Sequence, residues 1–368
     1  MVTAVIPVSA DEASMDEALA LAARGRGGTS PNPMVGAVVT QGDRVVGRGY
    51  HARAGAPHAE VMALDDAGEA ARGGRLYCTL EPCSHTGRTG PCVERIVDAG
   101  LQEVVVGVED PNPRVNGAGI QYLRDHGIAV LVGLRRVEAA RLNEAFFSVQ
   151  RRARPFVTMK AAISLDGCIA AAPGERTALT GPESAAHAHR VRAWVDAIGV
   201  GSETVLVDDP LLTVRGVTRT RPLVRVLFDT RMRTPTTARV LTTTEIGPVV
   251  VMTTEAAVDA WPARAAALEA AGAVIEALPL RDPALAMSRL VAYDVSDMLV
   301  EGGAALHRGV WVADVVDRVR LYVAPVTLGR HAVPWMSDGG PSIAALGGSE
   351  PRWLGDDVLL EADVQRTD

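Results

Sequence analysis

Residues 79–92 read TLEPCSHTGRTGPC, and two of the chain's four cysteines, Cys83 and Cys92, each follow a proline there with eight residues between them. Upstream, the triplet His58-Ala59-Glu60 opens a helical stretch that runs to about Ala71. One imidazole and two thiolates suit Zn²⁺, which takes nitrogen and sulfur donors tetrahedrally. Three protein ligands leave a corner for water, whose pKa the metal lowers to about 7. Glu60 stands two residues from His58, beside the metal without binding it. A carboxylate there can take the proton of the water and deliver it to a departing amine. An H-x-E element and a paired-cysteine element opening two helices make up the pattern of zinc-dependent deamination. Cys78 offers a rival arrangement: as a fourth ligand it would close a structural Cys₃His site with no catalytic water. It stands inside the strand RLYCTL, where it and Cys168 read as small buried hydrophobes.

Around this stretch the sequence alternates strands and helices. Residues 14–24 have helical spacing, and MVGAVVT and RVVGRGY flank Gln41-Gly42-Asp43 as a β-hairpin. RLYCTL, EVVVGV and IAVLVG read as strands, with helices expected at 91–99 and 117–126. Residues 136–154 read as one charged helix running into a basic stretch. After Pro155 come FVTMKAAI, AIGVG, VRVLFD, VVVMTT, MLVEGG and VRLYVAPVTLG as strands, and DDVLLEADV as an edge strand; 331–352 reads as loop. The expected fold class is α/β in two domains, 1–150 and 151–368.

A chain of 368 residues with 48% hydrophobic and 22% charged residues is an ordinary globular one. Its formal net charge of −7 and 4% aromatic content disfavour a nucleic-acid-editing deaminase, which needs phosphate contacts and stacking. No window has the length of a membrane span, and the start lacks a signal peptide's basic region. The expectation is a cytoplasmic enzyme acting on a small molecule, with neither nucleic acid nor membrane as partner. A non-enzymatic zinc-stabilised binding protein would require the closed Cys₃His shell.

TSPNPMVGAVV (29–39), GYH (49–51), HAE (58–60), TLEPCSHTGRTGPC (79–92) and DPNPRVNGAG (110–119) together resemble the deaminase half of the bifunctional riboflavin-biosynthesis deaminase–reductases. The resemblance implies a cytidine-deaminase-like α/β/α layered fold. It also implies hydrolytic loss of an amine from 2,5-diamino-6-ribosylamino-4(3H)-pyrimidinone 5′-phosphate. His58, Cys83 and Cys92 would hold zinc and Glu60 would shuttle protons, with Asn32, His51, His85, Arg88 and Asn112 in the substrate pocket. Ala37 and Gly90 depart from the usual Cys and Pro but supply no chemistry.

No GxGxxG occurs, so the common dinucleotide fingerprint is missing. SLDGCIA (164–170), GVGSETVLVDDPLLTVR (199–215) and VEGGA (300–304) resemble the reductase half of the same family, which has a dihydrofolate-reductase-like fold and uses NADPH. That likeness implies reduction of the ribosyl group to ribityl. Arg192 and Arg215 would bind the substrate phosphate, and Lys160, Asp208 and Glu301 would surround the sugar, with Leu212 also on the substrate side. Ala162, Thr204, Asp208, Thr230 and the segment from Gly303 through Ala304, Ala305 and Leu306 to Gly309 would face the cofactor, with Arg231 beside its 2′-phosphate. Arg176 and Ala178 stand where the family usually has a substrate-side serine and a cofactor-side tryptophan. A rival reading is therefore an active deaminase with an impaired or altered reductase. The resemblance further implies association of copies into a homo-oligomer through the reductase domain.

Overall fold

Runs of β-branched residues such as EVVVGV and VVVMTT lie buried on both faces, as strands between two layers of helices must. The computed structural model describes residues 9–84, 90–113, 115–336, 340–342, 345–348 and 351–365. The chain divides into two compact units between Ala153 and Arg154.

The first unit contains α1 (Ala10–Ala23), β1 (Gly36–Gln41), β2 (Arg44–Tyr50), α2 (Ala59–Ala67), β3 (Arg75–Leu80), α3 (Cys92–Asp98), β4 (Glu103–Val108), α4 (Ala118–Asp125), β5 (Ala129–Val132), α5 (Arg136–Leu142) and α6 (Glu144–Arg152). Its sheet has the order β2-β1-β3-β4-β5. The hairpin β1–β2 and the pair β1–β3 are antiparallel; β3, β4 and β5 are parallel. Alternation along β1 and β3 sends Ala37, Val39, Leu76 and Cys78 into the core under α2 and α3, and Val38 and Tyr77 into the core under α1. Glycine lets α2 lie flat on the hairpin: a Cβ on Gly49 would sit 2.2 Å from the Ala59 carbonyl oxygen.

The expected single helix over 136–154 is two helices broken at Asn143. Its side chain accepts from the Met34 N–H and donates to the Met34 carbonyl, both at 2.8 Å, so it pairs backbone outside the helix. The helix at His58 is also shorter than expected: α2 ends at Ala67 and a 3₁₀ turn covers Gly68–Ala71.

The second unit contains β6 (Phe156–Ile163), β7 (Cys168–Ala170), α7 (Pro182–Trp194), β8 (Ala197–Gly201), α8 (Ser202–Asp208), β9 (Val224–Phe228), β10 (Val249–Thr254), α9 (Glu255–Ala260), α10 (Pro262–Ala270), β11 (Ala273–Leu278), α11 (Pro283–Leu290), β12 (Asp297–Val300), α12 (Ala304–Val312), β13 (Arg318–Val323), β14 (Val333–Pro334), β15 (Leu346–Gly347), β16 (Arg352–Leu354) and β17 (Asp357–Val364). The main sheet runs β11-β10-β9-β8-β12-β6-β13-β17-β15, with β16 also on β17. From β11 to β13 all neighbours are parallel, and β13–β17 is antiparallel. Residues 357–364 are thus not an edge: β13 pairs on one side and β15 and β16 on the other. The stretch 331–352, read as loop, contributes the short strands β14 and β15 and the start of β16. The unit begins on an interior strand, β6. Just before it, the Arg154 guanidinium forks onto the Asp317 carboxylate at 2.6 and 2.9 Å, and the same carboxylate accepts from the Val157 N–H.

Among the described residues no helix is long and apolar enough to cross a membrane.

Candidate active sites

Two helix starts and one loop assemble the first site. His58 precedes α2, Cys92 opens α3, and Cys83 lies just beyond β3. Their ligand atoms all fall within 4.8 Å of one another. His58 Nδ1 is 3.2 Å from Cys92 Sγ and 3.5 Å from Cys83 Sγ. The backbone N–H of Cys92 donates to Cys83 Sγ at 3.4 Å. Hydrogen bonds from Cys92 and from His58 hold the Cys83 thiol low, while the facing Cys83 sulfur pushes Cys92 up. A metal takes thiolates and so would displace whatever protons these thiols carry, and the nitrogen–sulfur donor set fits zinc.

Glu60, in the first turn of α2, is 3% exposed. Burial, reinforced by the Cys83 charge, raises its carboxyl to about 7. Cys78 takes no part: it packs in the core between sheet and helices, with Sγ 3.7 Å from the Val105 carbonyl, and burial pushes its thiol up.

The Asn32 amide Nδ2 is 3.1 Å from His51 Nε2, and His51 Nδ1 is 3.1 Å from the Pro57 carbonyl. A carbonyl only accepts, so Nδ1 carries the proton and Nε2 accepts from Asn32. Burial keeps His51 on the neutral side by lowering its pKa. The His51 and His58 rings meet edge to face at 5.5 Å. Asn112 sits in a turn where its N–H donates to Asp110 at 2.8 Å. His85 and Arg88 lie outside the described residues. Sequence reasoning missed Glu81. Its buried carboxylate accepts from the N–H groups of Asp110, Gly117, Gly119 and Ile120, holding the loop of Asn112 against the start of α4. The only signal was a glutamate at the end of an apolar strand.

In the second unit a cavity of about 900 Å³ opens at the carboxyl ends of the parallel strands, where open α/β sheets bind ligands. It is lined by Lys160, Ala162, Arg176, Thr204, Asp208, Thr230, Arg231, Glu301 and the segment Gly303 to Leu306, all expected in a site. Arg233 and Arg281 also line it and had no signal beyond their charge. Gly302 lets the turn before α12 press against β8, since a Cβ there would be 2.8 Å from the Gly201 nitrogen. The N-terminus of α12 thus faces the cavity, where free N–H groups favour phosphate. Cavity size, glycine turn and arginines together fit a dinucleotide phosphate.

Ala178 is not among the lining residues, nor are Arg192, Leu212 and Arg215. Leu212 is a buried core side chain held at φ 51°. Arg192 forks onto Glu301 at 2.9 and 2.5 Å. Burial pushes the Glu301 carboxyl up, but Arg192 and Lys160 more than offset it and hold it at about 2. Burial also lowers the pKa of Lys160, against the pull of Glu301, and its ammonium lies 5.3 Å from the centroid of the Tyr322 ring. Asp208 is raised by burial and partly restrained by Arg176. Arg215 bonds to His189, a residue the sequence did not single out.

Two family profiles match the chain. The cytidine and deoxycytidylate deaminase zinc-binding region covers residues 8–108, and the RibD C-terminal domain covers 155–359. Riboflavin biosynthesis protein RibD of Aquifex aeolicus is 40% identical over 320 residues, 87% of this chain and 88% of the relative. The Escherichia coli K12 protein of the same name is 38% identical over 334 residues, 88% and 89% of the two chains. Among solved structures, Acinetobacter baumannii RibD superposes with a TM-score of 0.87 at 34% identity, over 98% of this chain and 100% of that one. A Thermotoga maritima diaminohydroxyphosphoribosylaminopyrimidine deaminase/5-amino-6-(5-phosphoribosylamino)uracil reductase does so with 0.85 at 32%, over 97% and 99%. A cytidine-deaminase-like zinc domain and a dihydrofolate-reductase-like NADPH domain in one chain, matched along nearly its whole length, place this protein in the RibD family of bifunctional riboflavin-biosynthesis deaminase–reductases.

Proposed function

We propose that the first unit removes the 2-amino group of 2,5-diamino-6-ribosylamino-4(3H)-pyrimidinone 5′-phosphate as ammonia, and that the second reduces the ribosyl group of the product to ribityl. The observation that carries the first assignment is the convergence of His58, Cys83 and Cys92 beside a buried Glu60. A zinc ion held by those three donors supplies a water acidic enough to lose its proton at neutral pH. Glu60, poised near 7, takes that proton as oxygen bonds to C2 and returns it to the amine as the C–N bond breaks. Asn32, held by His51 beside His58, would read the ring edge, and Glu81 steadies the turn that carries Asn112.

In the second unit NADPH supplies the hydride, delivered to C1′ of the opened sugar. Thr204, Thr230, Arg231 and the Gly303–Leu306 segment hold the cofactor along the cavity. Lys160 and Asp208 line the same cavity. Lys160 donates a proton to the sugar oxygen as the C1′–O bond breaks, and the C1′=N bond this leaves, still carrying its N–H, takes the hydride at C1′. Glu301 anchors Arg192 beside them. From membership of this family we infer a cytoplasmic homo-oligomer acting on a small phosphorylated pyrimidine, with neither nucleic acid nor membrane as partner.

A coupled assay on the diaminopyrimidinone phosphate, following ammonia and NADPH together, tests both halves. One NADPH consumed per ammonia released is expected. Ammonia without NADPH oxidation overturns the second assignment; neither signal from zinc-replete protein overturns both.

A further inference from the structure

Arg192 and Arg215 are the two arginines that the family resemblance assigns to the substrate's phosphate, yet they are not equally available. The Nε and Nη2 of Arg192 donate to Glu301, and its Nη1 is 3.4 Å from the Thr213 carbonyl. Arg215 is exposed and, among the described residues, has no carboxylate at salt-bridge distance. Its partner is His189, one helical turn before Arg192 on α7.

That contact is incompatible with two hydrogen bonds. The backbone N–H of Arg215 lies 3.2 Å from His189 Nδ1, and the guanidinium Nε–H lies 3.2 Å from His189 Nε2. Arginine only donates, and a neutral imidazole has one lone pair and one N–H. The backbone donor cannot turn away, so Nδ1 accepts and Nε2 carries the proton. The Nε2–H of His189 and the Nε–H of Arg215 then stand donor against donor. A single oxygen can accept from both, and an anionic one, as on a phosphate, does so most strongly.

The surroundings favour an anion. His189 is faced by Arg192 on its own helix, Arg215 on the loop after α8, Lys160 from β6 and Glu301 just beyond β12. Three cations oppose one carboxylate. Burial, and then Arg192 and Arg215, lower the His189 pKa and keep the ring in the neutral form the geometry requires.

We propose that His189 Nε2–H, paired with Arg215 Nε–H, is a further donor to the phosphate of the reductase substrate. This rests on the proposed reduction of a phosphorylated aminouracil and adds a specificity residue to it. His189 touches the phosphate, remote from the reacting carbon, so its contribution is to binding and to the preference for phosphorylated substrate.

The test uses the full zinc-loaded chain and NADPH oxidation, with 5-amino-6-(5-phosphoribosylamino)uracil and its dephosphorylated counterpart as substrates. For His189→Phe we expect KM for the phosphorylated substrate to rise about tenfold, with a much smaller change in kcat and little change for the dephosphorylated one. His189→Gln, which keeps an N–H donor, should recover part of the loss. On the wild-type protein, ¹⁵N-resolved imidazole spectra should show His189 protonated on Nε2 and shifted by inorganic phosphate. An unchanged KM in His189→Phe, equal losses on both substrates, or a His189 signal indifferent to phosphate overturns the role of His189 alone. Wild-type protein that does not discriminate between the two substrates overturns the phosphate reading of Arg192 and Arg215 as well.

Discussion

Glu60 stands outside the group of metal donors and is almost wholly buried, so the carboxyl's value to the protein lies in its proton. Glu60→Gln keeps the shape and removes the titration. Zinc content should be unchanged, while ammonia release falls by about 10²–10⁴, the usual contribution of a positioned acid–base group. Unchanged turnover with full zinc would falsify the assignment. In the other unit Arg176 restrains the burial-raised Asp208. Removing that cation in Arg176→Ala should raise the Asp208 pKa further, so a limb of the NADPH-oxidation profile governed by Asp208 moves to higher pH. A limb that stays in place would show that Arg176 does not act on it. At this scale the zinc donors were legible because H-x-E and PC-x₈-C have fixed spacing. The fork of Arg192 on Glu301 joins residues 109 apart and left no local trace, and His189 looks like any histidine on a helix. Ala178 was expected at the cofactor but does not line the cavity.

Elements set how well these groups are aimed. Helix α2 brings Glu60 to the metal donors because Gly47 and Gly49 let it approach β2. In Gly49→Ala the new methyl would meet the Ala59 oxygen at 2.2 Å and the Ala63 nitrogen at 2.5 Å. Neither is a flexible side chain, so the helix must shift. We expect a loss of about 1–3 kcal/mol, typical of overpacking, with weaker zinc retention against a chelator. A variant with wild-type melting and zinc retention would refute this account of the glycine. Most strands were readable from β-branched runs bounded by turns. The break at Asn143 was not, because its cause is Met34, a residue remote in sequence. Nor was the interior position of β17, since its partners β15 and β16 are too short to register as strands.

For the whole molecule, two buried histidines of the second unit give stability a direction in pH. Burial, then nearby Lys160, brings His307 to about 4; burial, then Arg320 and Arg352, brings His187 to about 4. Both sit below the unfolded value of about 6.5. The unfolded chain therefore binds more protons between those values, and stability falls as pH drops through that window. Above about pH 6.5 the contribution is complete. The melting temperature of the second unit should decline from pH 7 to pH 4.5, and less steeply in His307→Leu; equal slopes would rule out a part for His307. The two-unit organisation was visible in the change from the charged helices to the strand series after Pro155.

The fork of Arg154 on Asp317 has a consequence for anyone dividing the polypeptide. A fragment starting at residue 154 retains the guanidinium that neutralises a carboxylate exposed to solvent by only 4%. One starting at 156 loses that guanidinium and leaves the carboxylate to its remaining partners, the Val157 N–H included, at a cost of up to about 3–5 kcal/mol. The shorter fragment should be recovered insoluble or partly unfolded and the longer one should melt cooperatively. Gene fission, whether in a laboratory or a genome, has little latitude at this seam.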